Sequence, residues 1–204
     1  MLQTQNLAAR RGEALLFSGV SFSLVAGTAL LIGGPNGSGK TTLLRILAGL
    51  TEPAEGTLAW RGEAVHPFDP RLRAEALFIG HAPALKDELS ALENLASLAS
   101  LHGGDAGSER LREALAKWSL SRQRSLPARV LSEGQRRRIG LARLSLVPRA
   151  LWLLDEPATA LDDAGVNSLC AAVAAHLADG GIAVIASHQQ LALPVAASRS
   201  LRLA

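Results

Sequence analysis

At 204 residues the chain exceeds a typical ~150-residue domain by too little for a second large one, so a single domain carrying a subdomain is expected. Apolar residues make up 48% and charged residues 19%, a globular balance that excludes long disordered tails and builds a core without metal or disulfide support. Aromatics at 3%, with no Tyr, exclude serial base stacking on single-stranded nucleic acid, and a net charge of +3 gives no dense basic face. The single Cys170 leaves no internal disulfide and no CxxC site; it fits a reducing compartment and is expected buried in the Ala-rich stretch from Leu169 to Ala178. The opening MLQTQNLAARRGE has no apolar signal core, and no window of 18 residues escapes polar interruption. Neither a membrane span nor entry into the secretory route is expected.

In chain order, Val20 to Leu24 and Ala29 to Gly33 read as strands, and the second runs straight into a glycine cluster. That cluster, Gly34, Pro35, Asn36, Gly37, Ser38, Gly39, Lys40 and Thr41, matches G-x-x-x-x-G-K-[ST], with Thr42 following. A helix is predicted from Lys40 to Leu50, stopped near Gly49, so the match lies between strand and helix as a phosphate loop requires. Its glycines let successive backbone N–H groups turn toward phosphate oxygens, and the helix start adds partial positive charge. Lys40, one of only three lysines, neutralises the outer phosphates, and Thr41 offers a hydroxyl to Mg²⁺.

Gly56 to Trp60 with Glu63 to Val65 reads as a hairpin, and Leu77 to Gly80 as a strand. From Ala91 to Trp118 the pattern is helical, broken at His102-Gly103-Gly104, which predicts a helical insertion. A helix from Gln135 to Val147, stopped by Pro148, follows Leu131-Ser132-Glu133-Gly134-Gln135. There Ser132 and Gln135 fit a capping box, while the hydroxyl, the Gly134 backbone and the helix start also suit an anion. The run Arg136-Arg137-Arg138, with Arg143, reads as a solvated helix face rather than a nucleic acid patch. The apolar strand from Ala150 to Leu154 runs into Asp155 and Glu156. Adjacent strand residues diverge, so Asp155 can face Mg²⁺ while Glu156 reaches an attacking water. A helix through Asp179 and a strand from Ile182 to Ala186 complete an alternation that implies a mostly parallel sheet.

The order of the phosphate loop, LSEGQ, LWLLDEP, Thr159-Ala160-Leu161-Asp162 and Ser187-His188 resembles the nucleotide-binding domain of ATP-binding cassette (ABC) proteins over nearly the whole chain. The resemblance implies an α/β P-loop NTPase fold: one ABC ATPase domain over residues 1–204, an N-terminal antiparallel β subdomain, and a helical subdomain at approximately 84–135. It implies ATP and Mg²⁺ as cofactors and a homodimer sandwiching two ATP molecules head to tail. Glu156 would be the catalytic carboxylate, His188 the γ-phosphate switch, Asp162 a dimer contact, and Ser132, Gly134 and Gln135 ligands of ATP held by the opposite subunit. Thr41 and Asp155 would serve Mg²⁺.

Three departures from the family pattern stand out. Glu133 replaces a small residue and is expected to point away from phosphate. His81 or Ala82 stands where the family has a Gln after the strand ending near Gly80. Near Arg10-Arg11-Gly12 no aromatic is present, so a guanidinium is expected to stack on adenine.

The phrases LLFSGVSFSL, IGHAPALKDELSALENL, ARLSLVPRALWLLDEPATALD and GGIAVIASHQ resemble the ATP-binding subunits of haem exporters in c-type cytochrome biogenesis. That resemblance implies a peripheral subunit at the cytoplasmic face of a bacterial inner membrane, working with integral membrane subunits. Neither nucleic acid nor haem is expected to bind this chain, and no CxxCH occurs. A subunit of another small exporter or lipoprotein-releasing complex shares these motifs. A soluble cassette ATPase acting on nucleic acid usually carries paired cassettes or coiled-coil inserts.

Overall fold

The fold is known from a computed structural model that describes residues 1–194 and 197–203. They form two compact units, one of Met1–Phe78, Arg149–Glu156 and Val173–Ala204, the other of Ile79–Pro148 and Pro157–Ala172.

The first unit holds two sheets. In the antiparallel sheet, β1 (Leu2–Arg11), β2 (Ala14–Leu24), β4 (Glu55–Trp60) and β5 (Glu63–Val65) lie in the order β2-β1-β4-β5. The predicted hairpin is β4–β5. β1 is not among the predicted strands, and the reason is a bulge: Asn6 takes φ 51° and the register to β4 shifts between Gln5 and Ala8. Leu2 and Thr4 are buried before the bulge, and Leu7, Ala8 and Ala9 after it, so no strict alternation survives in the sequence.

The second sheet contains β3 (Ala29–Gly33), β6 (Ala76–Ile79), β7 (Leu151–Asp155), β8 (Ile182–Ala186) and β9 (Ser198–Arg202), ordered β6-β7-β8-β3-β9. β3 runs parallel to β8 and β9, and β7 parallel to β8. Every residue of β7 and β8 is buried, as expected for strands covered on both faces. Because β7, β8 and β3 are parallel neighbours, their carboxyl ends lie side by side: Ala186 pairs with Asp155 on one flank and Ile32 on the other. Loops leaving those ends must converge, which is where open α/β sheets bind ligands.

After β3, α1 (Lys40–Leu47) buries Leu43, Leu44, Ile46 and Leu47. It stops short of the predicted Leu50, with Gly49 at φ 67° just past its end. The short α2 (Pro70–Glu75) begins with Asp69 accepting from the Arg71 N–H at 2.9 Å and Pro70 in its first turn.

The second unit is helical. α3 (Ala91–Leu101), α4 (Ser108–Lys117) and α5 (Glu133–Ala142) pack on one another through residues that include Leu95, Leu98, Leu111, Leu115, Ile139 and Leu141. The predicted break between α3 and α4 is present: His102 caps α3 and Gly103 has φ 65°. α5 starts two residues earlier than predicted because Ser132 is its cap. Its far end tightens into a 3₁₀ turn at Arg143–Ser145 before Pro148. The part of α6 (Asp163–Ala178) that belongs to this unit, up to Ala172, carries Cys170, which is half-buried rather than buried.

Candidate functional site

In the first unit the glycine cluster joins β3 to α1, and its shape depends on missing side chains. Gly34 has φ 141°, and a Cβ there would lie 2.6 Å from the Leu203 carbonyl oxygen and 2.8 Å from Ser38 Oγ. Gly39 caps α1 in the left-handed region, and its Cβ would meet the Phe17 ring at 2.8 Å. Phe17 and Leu16 of β2 are therefore the floor under this loop, a role that their place in an alternating strand does not announce.

Lys40 is 7% exposed, and its Nζ donates to the carbonyls of Gly34 at 2.9 Å and Pro35 at 3.1 Å. It also lies 3.2 Å from His188 Nε2. That same Nε2 is 3.3 Å from Glu156 Oε1, and the His188 backbone N–H donates to Glu156 Oε2 at 3.2 Å. One ring nitrogen of His188 thus lies within reach of both Lys40 and Glu156. Glu156 itself sits at φ 48°, with its N–H bound to the Ala186 carbonyl at 2.9 Å. A non-glycine residue held in that region stores strain where its carboxylate is aimed.

Next to this trio, Thr41 Oγ1 donates to Asp155 Oδ2 at 2.8 Å, and Asp155 is 2% exposed. Hydroxyl and carboxylate oxygens side by side are donors that suit a hard divalent cation. Among the described residues no cluster of three or more His, Cys, Asp or Glu could hold a metal alone. The Thr41 hydroxyl and Asp155 carboxylate are oxygen ligands of the kind Mg²⁺ takes beside water and phosphate oxygens. Ser38 Oγ is buried without a hydrogen-bond partner in the same loop. At the β1–β2 turn, Arg10 and Arg11 are exposed, and Arg10 Nη1 reaches the Glu13 carbonyl at 3.4 Å.

The second unit holds LSEGQ. Ser132 Oγ accepts from the Gln135 N–H at 3.3 Å, and Gln135 Oε1 accepts from the Ser132 N–H at 3.0 Å, a complete capping box. Both side chains thus fix the start of α5. Glu133 is exposed in its first turn. Gly134 passes so close to the Ala160 backbone that a Cβ would lie 2.5 Å from that carbonyl oxygen. Asp162 Oδ1 accepts from the Gly165 N–H at 2.8 Å and pairs with Arg138. These contacts, the amide first and the guanidinium second, hold the Asp162 carboxyl below its usual range. His81 and Ala82 are exposed after β6.

The arginine run is not the solvated face that its composition suggests. Arg136 is half-buried and donates to Asp87 Oδ1 at 2.6 Å, while Arg137 and Arg143 are only 3% and 6% exposed. Charged residues at such positions are buried because backbone carbonyls receive them.

The sequence profile of the ABC transporter family matches residues 17–159. The chain belongs to the ABC transporter family. It is 48% identical to the cytochrome c biogenesis ATP-binding export protein CcmA 2 of Cupriavidus metallidurans over 191 residues, covering 94% of this chain and 90% of the relative. It is also 48% identical to the CcmA protein of Nitrosococcus oceani over 203 residues, covering 99% of this chain and 91% of that one. A dimeric ATP-binding cassette solved in a post-hydrolysis state with ADP and Pi has 27% identity and a TM-score of 0.77, covering 93% of this chain and 88% of that structure. As a member of this ABC family, the chain is an ATP-binding subunit that couples ATP hydrolysis to transport. No helix among the described residues is long and apolar enough to cross a membrane.

Proposed function

We propose that this subunit powers haem delivery or release in c-type cytochrome biogenesis, from the cytoplasmic face of a bacterial inner membrane, through integral membrane partner subunits. The family relationship to CcmA export proteins at 48% identity supports the assignment of the pathway. The convergence of Lys40, His188 and Glu156 on one point beside the phosphate loop supports the chemistry. In this reading residues 1–204 form one ATP-binding domain, with a helical subdomain at about 84–135.

The phosphate loop residues Gly34 to Thr42 cradle the triphosphate, with Lys40 neutralising its outer phosphates. Thr41 and Asp155 would hold Mg²⁺, whose charge would offset that of the phosphates. Glu156 Oε takes a proton from water as the water oxygen attacks the γ-phosphorus; the bond to the bridging oxygen breaks and leaves ADP and phosphate. His188 exchanges its Lys40 and Glu156 neighbours for a γ-phosphate oxygen. Two chains meet head to tail, so Ser132, Gly134 and Gln135 of one, with Asp162 at the contact, close over ATP held by the other. The exposed guanidinium of Arg10 or Arg11 stacks on adenine. Haem itself never touches this subunit.

Deleting the gene from its host tests the pathway: mature c-type cytochromes disappear while haem synthesis continues. Unchanged cytochromes contradict the assignment, and membrane proteins co-purifying with a Glu156→Gln chain under ATP then reveal which exporter it serves.

A further inference from the structure

Arg137 lies on α5, two residues past the capping box, and its side chain faces inward. Its Nη1 donates to two consecutive carbonyls, Gly80 at 2.9 Å and His81 at 2.6 Å, and its Nε donates to the Pro157 carbonyl at 3.3 Å. Gly80 and His81 are the first residues after β6; Pro157 is the residue after Glu156. One planar fork therefore ties Gly80 and His81 to Pro157, all within the second unit, and it does so from the helix that LSEGQ begins. Two further contacts hold the same stretch to α5: the close passage of Gly134 against Ala160 and the pair of Arg138 with Asp162.

Stability alone does not account for this arrangement. A second guanidinium, Arg143, is buried on the same helix run, and burial, followed by the nearby charge of Arg137, lowers its pKa to about 10. Two like charges kept out of water destabilise a fold that apolar side chains would fill as well. What an apolar residue lacks is the ability to hold three carbonyls at fixed spacing.

We propose that Arg137 is a positioning residue for ATP hydrolysis, holding the backbone that follows Glu156 and the backbone that follows β6 in register with α5. The start of the loop after β6 takes its position from the Gly80 and His81 carbonyls gripped by Arg137. Arg137 does not touch the reacting atoms; it acts through Pro157 on the direction of Glu156, and through Gly80 and His81 on the loop they begin.

The test uses the full chain and ATP alone, so its outcome is separable from that of the haem assignment. Arg137→Lys keeps the charge and most of the volume, but one ammonium cannot span all three carbonyls. Arg137→Met removes every donor. In both variants kcat is expected to fall about 10- to 100-fold while KM for ATP stays within about threefold, since sub-ångström misplacement acts on the chemical step. Backbone hydrogen exchange is expected to accelerate in residues 80–82 and 157–162 together. If kcat per folded molecule stays within about twofold of wild type in Arg137→Lys, or if exchange rises in only one of the two segments, the positioning role is wrong. Should Arg137→Met fail to fold, Arg137→Lys decides by the same two readouts.

Discussion

The phosphate-loop region and the LSEGQ region hold their polar side chains in opposite ways. Around the loop, polar side chains meet one another: buried Lys40 and half-buried Glu156 both approach one nitrogen of the exposed His188, and Thr41 donates to a nearly inaccessible Asp155. Around LSEGQ the side chains are already satisfied. Ser132 and Gln135 cap each other, Gly134 is pressed on a carbonyl, and Asp162 is held by an amide and a guanidinium. The first region brings polar side chains into mutual contact, and the second uses them to hold a backbone shape.

If this contrast is right, side-chain chemistry matters in the first region and backbone spacing in the second. The largest effect is expected for Glu156→Gln, which keeps the shape but removes the base: kcat falls about 10²- to 10⁴-fold with ATP affinity retained. Equilibrium nucleotide binding alongside steady-state hydrolysis checks it. Gly134→Ala is next, because its Cβ would stand 2.5 Å from the Ala160 carbonyl oxygen. It should cost about 1–3 kcal/mol of overpacking and lower ATPase activity, while nucleotide binding by the isolated chain stays near normal. A fall in nucleotide affinity of the monomer would blur the line between the two regions.

The contrast also bears on what the sequence discloses. The reactive region is legible because its chemistry fixes residue identity: Gly34 to Thr41, Asp155, Glu156 and His188 all come together at adjoining strand ends. The shape-holding region is legible only in its cap. Arg137 is hidden because an arginine run with polar neighbours carries the signature of solvent, and the Gly80, His81 and Pro157 carbonyls that it holds lie 20 or more residues away in sequence. In the fold, β1 is obscured by its bulge at Asn6. β9 is obscured because SRSLR at a sheet edge is half-exposed and mostly polar. The start of α2 had a readable signal in Asp69-Pro70, but six residues are too few for a helical period.

Smaller effects test packing away from both regions. His176 stacks on Trp152 with ring centroids 3.8 Å apart, and a Cβ on Gly181 would lie 2.2 Å from that imidazole. Gly181→Ala should therefore destabilise the chain by about 1–3 kcal/mol with kcat unchanged, as thermal melting and a rate assay would reveal. Burial pushes the His176 pKa below its usual 6.5, against the opposing effects of its bond to the Ile182 carbonyl and of Asp179. A depressed folded pKa means the contribution of neutral His176 is present above about pH 6.5 and is lost as pH falls toward the folded value. Melting temperature should accordingly drop on acidification from about pH 7.5 to about 5.5, and drop less in His176→Phe, which keeps the stack without the titration. An equal drop in both chains would remove His176 as the cause.

The central claim is that the two regions meet on one nucleotide only when two chains face each other. Mixing a Lys40→Ala chain with a Gly134→Val chain tests it most directly, because neither homodimer has an intact composite site while the mixed dimer has one. ATPase activity that is near background for each variant and reappears on mixing is the predicted result; no recovery from folded, associating chains would contradict it.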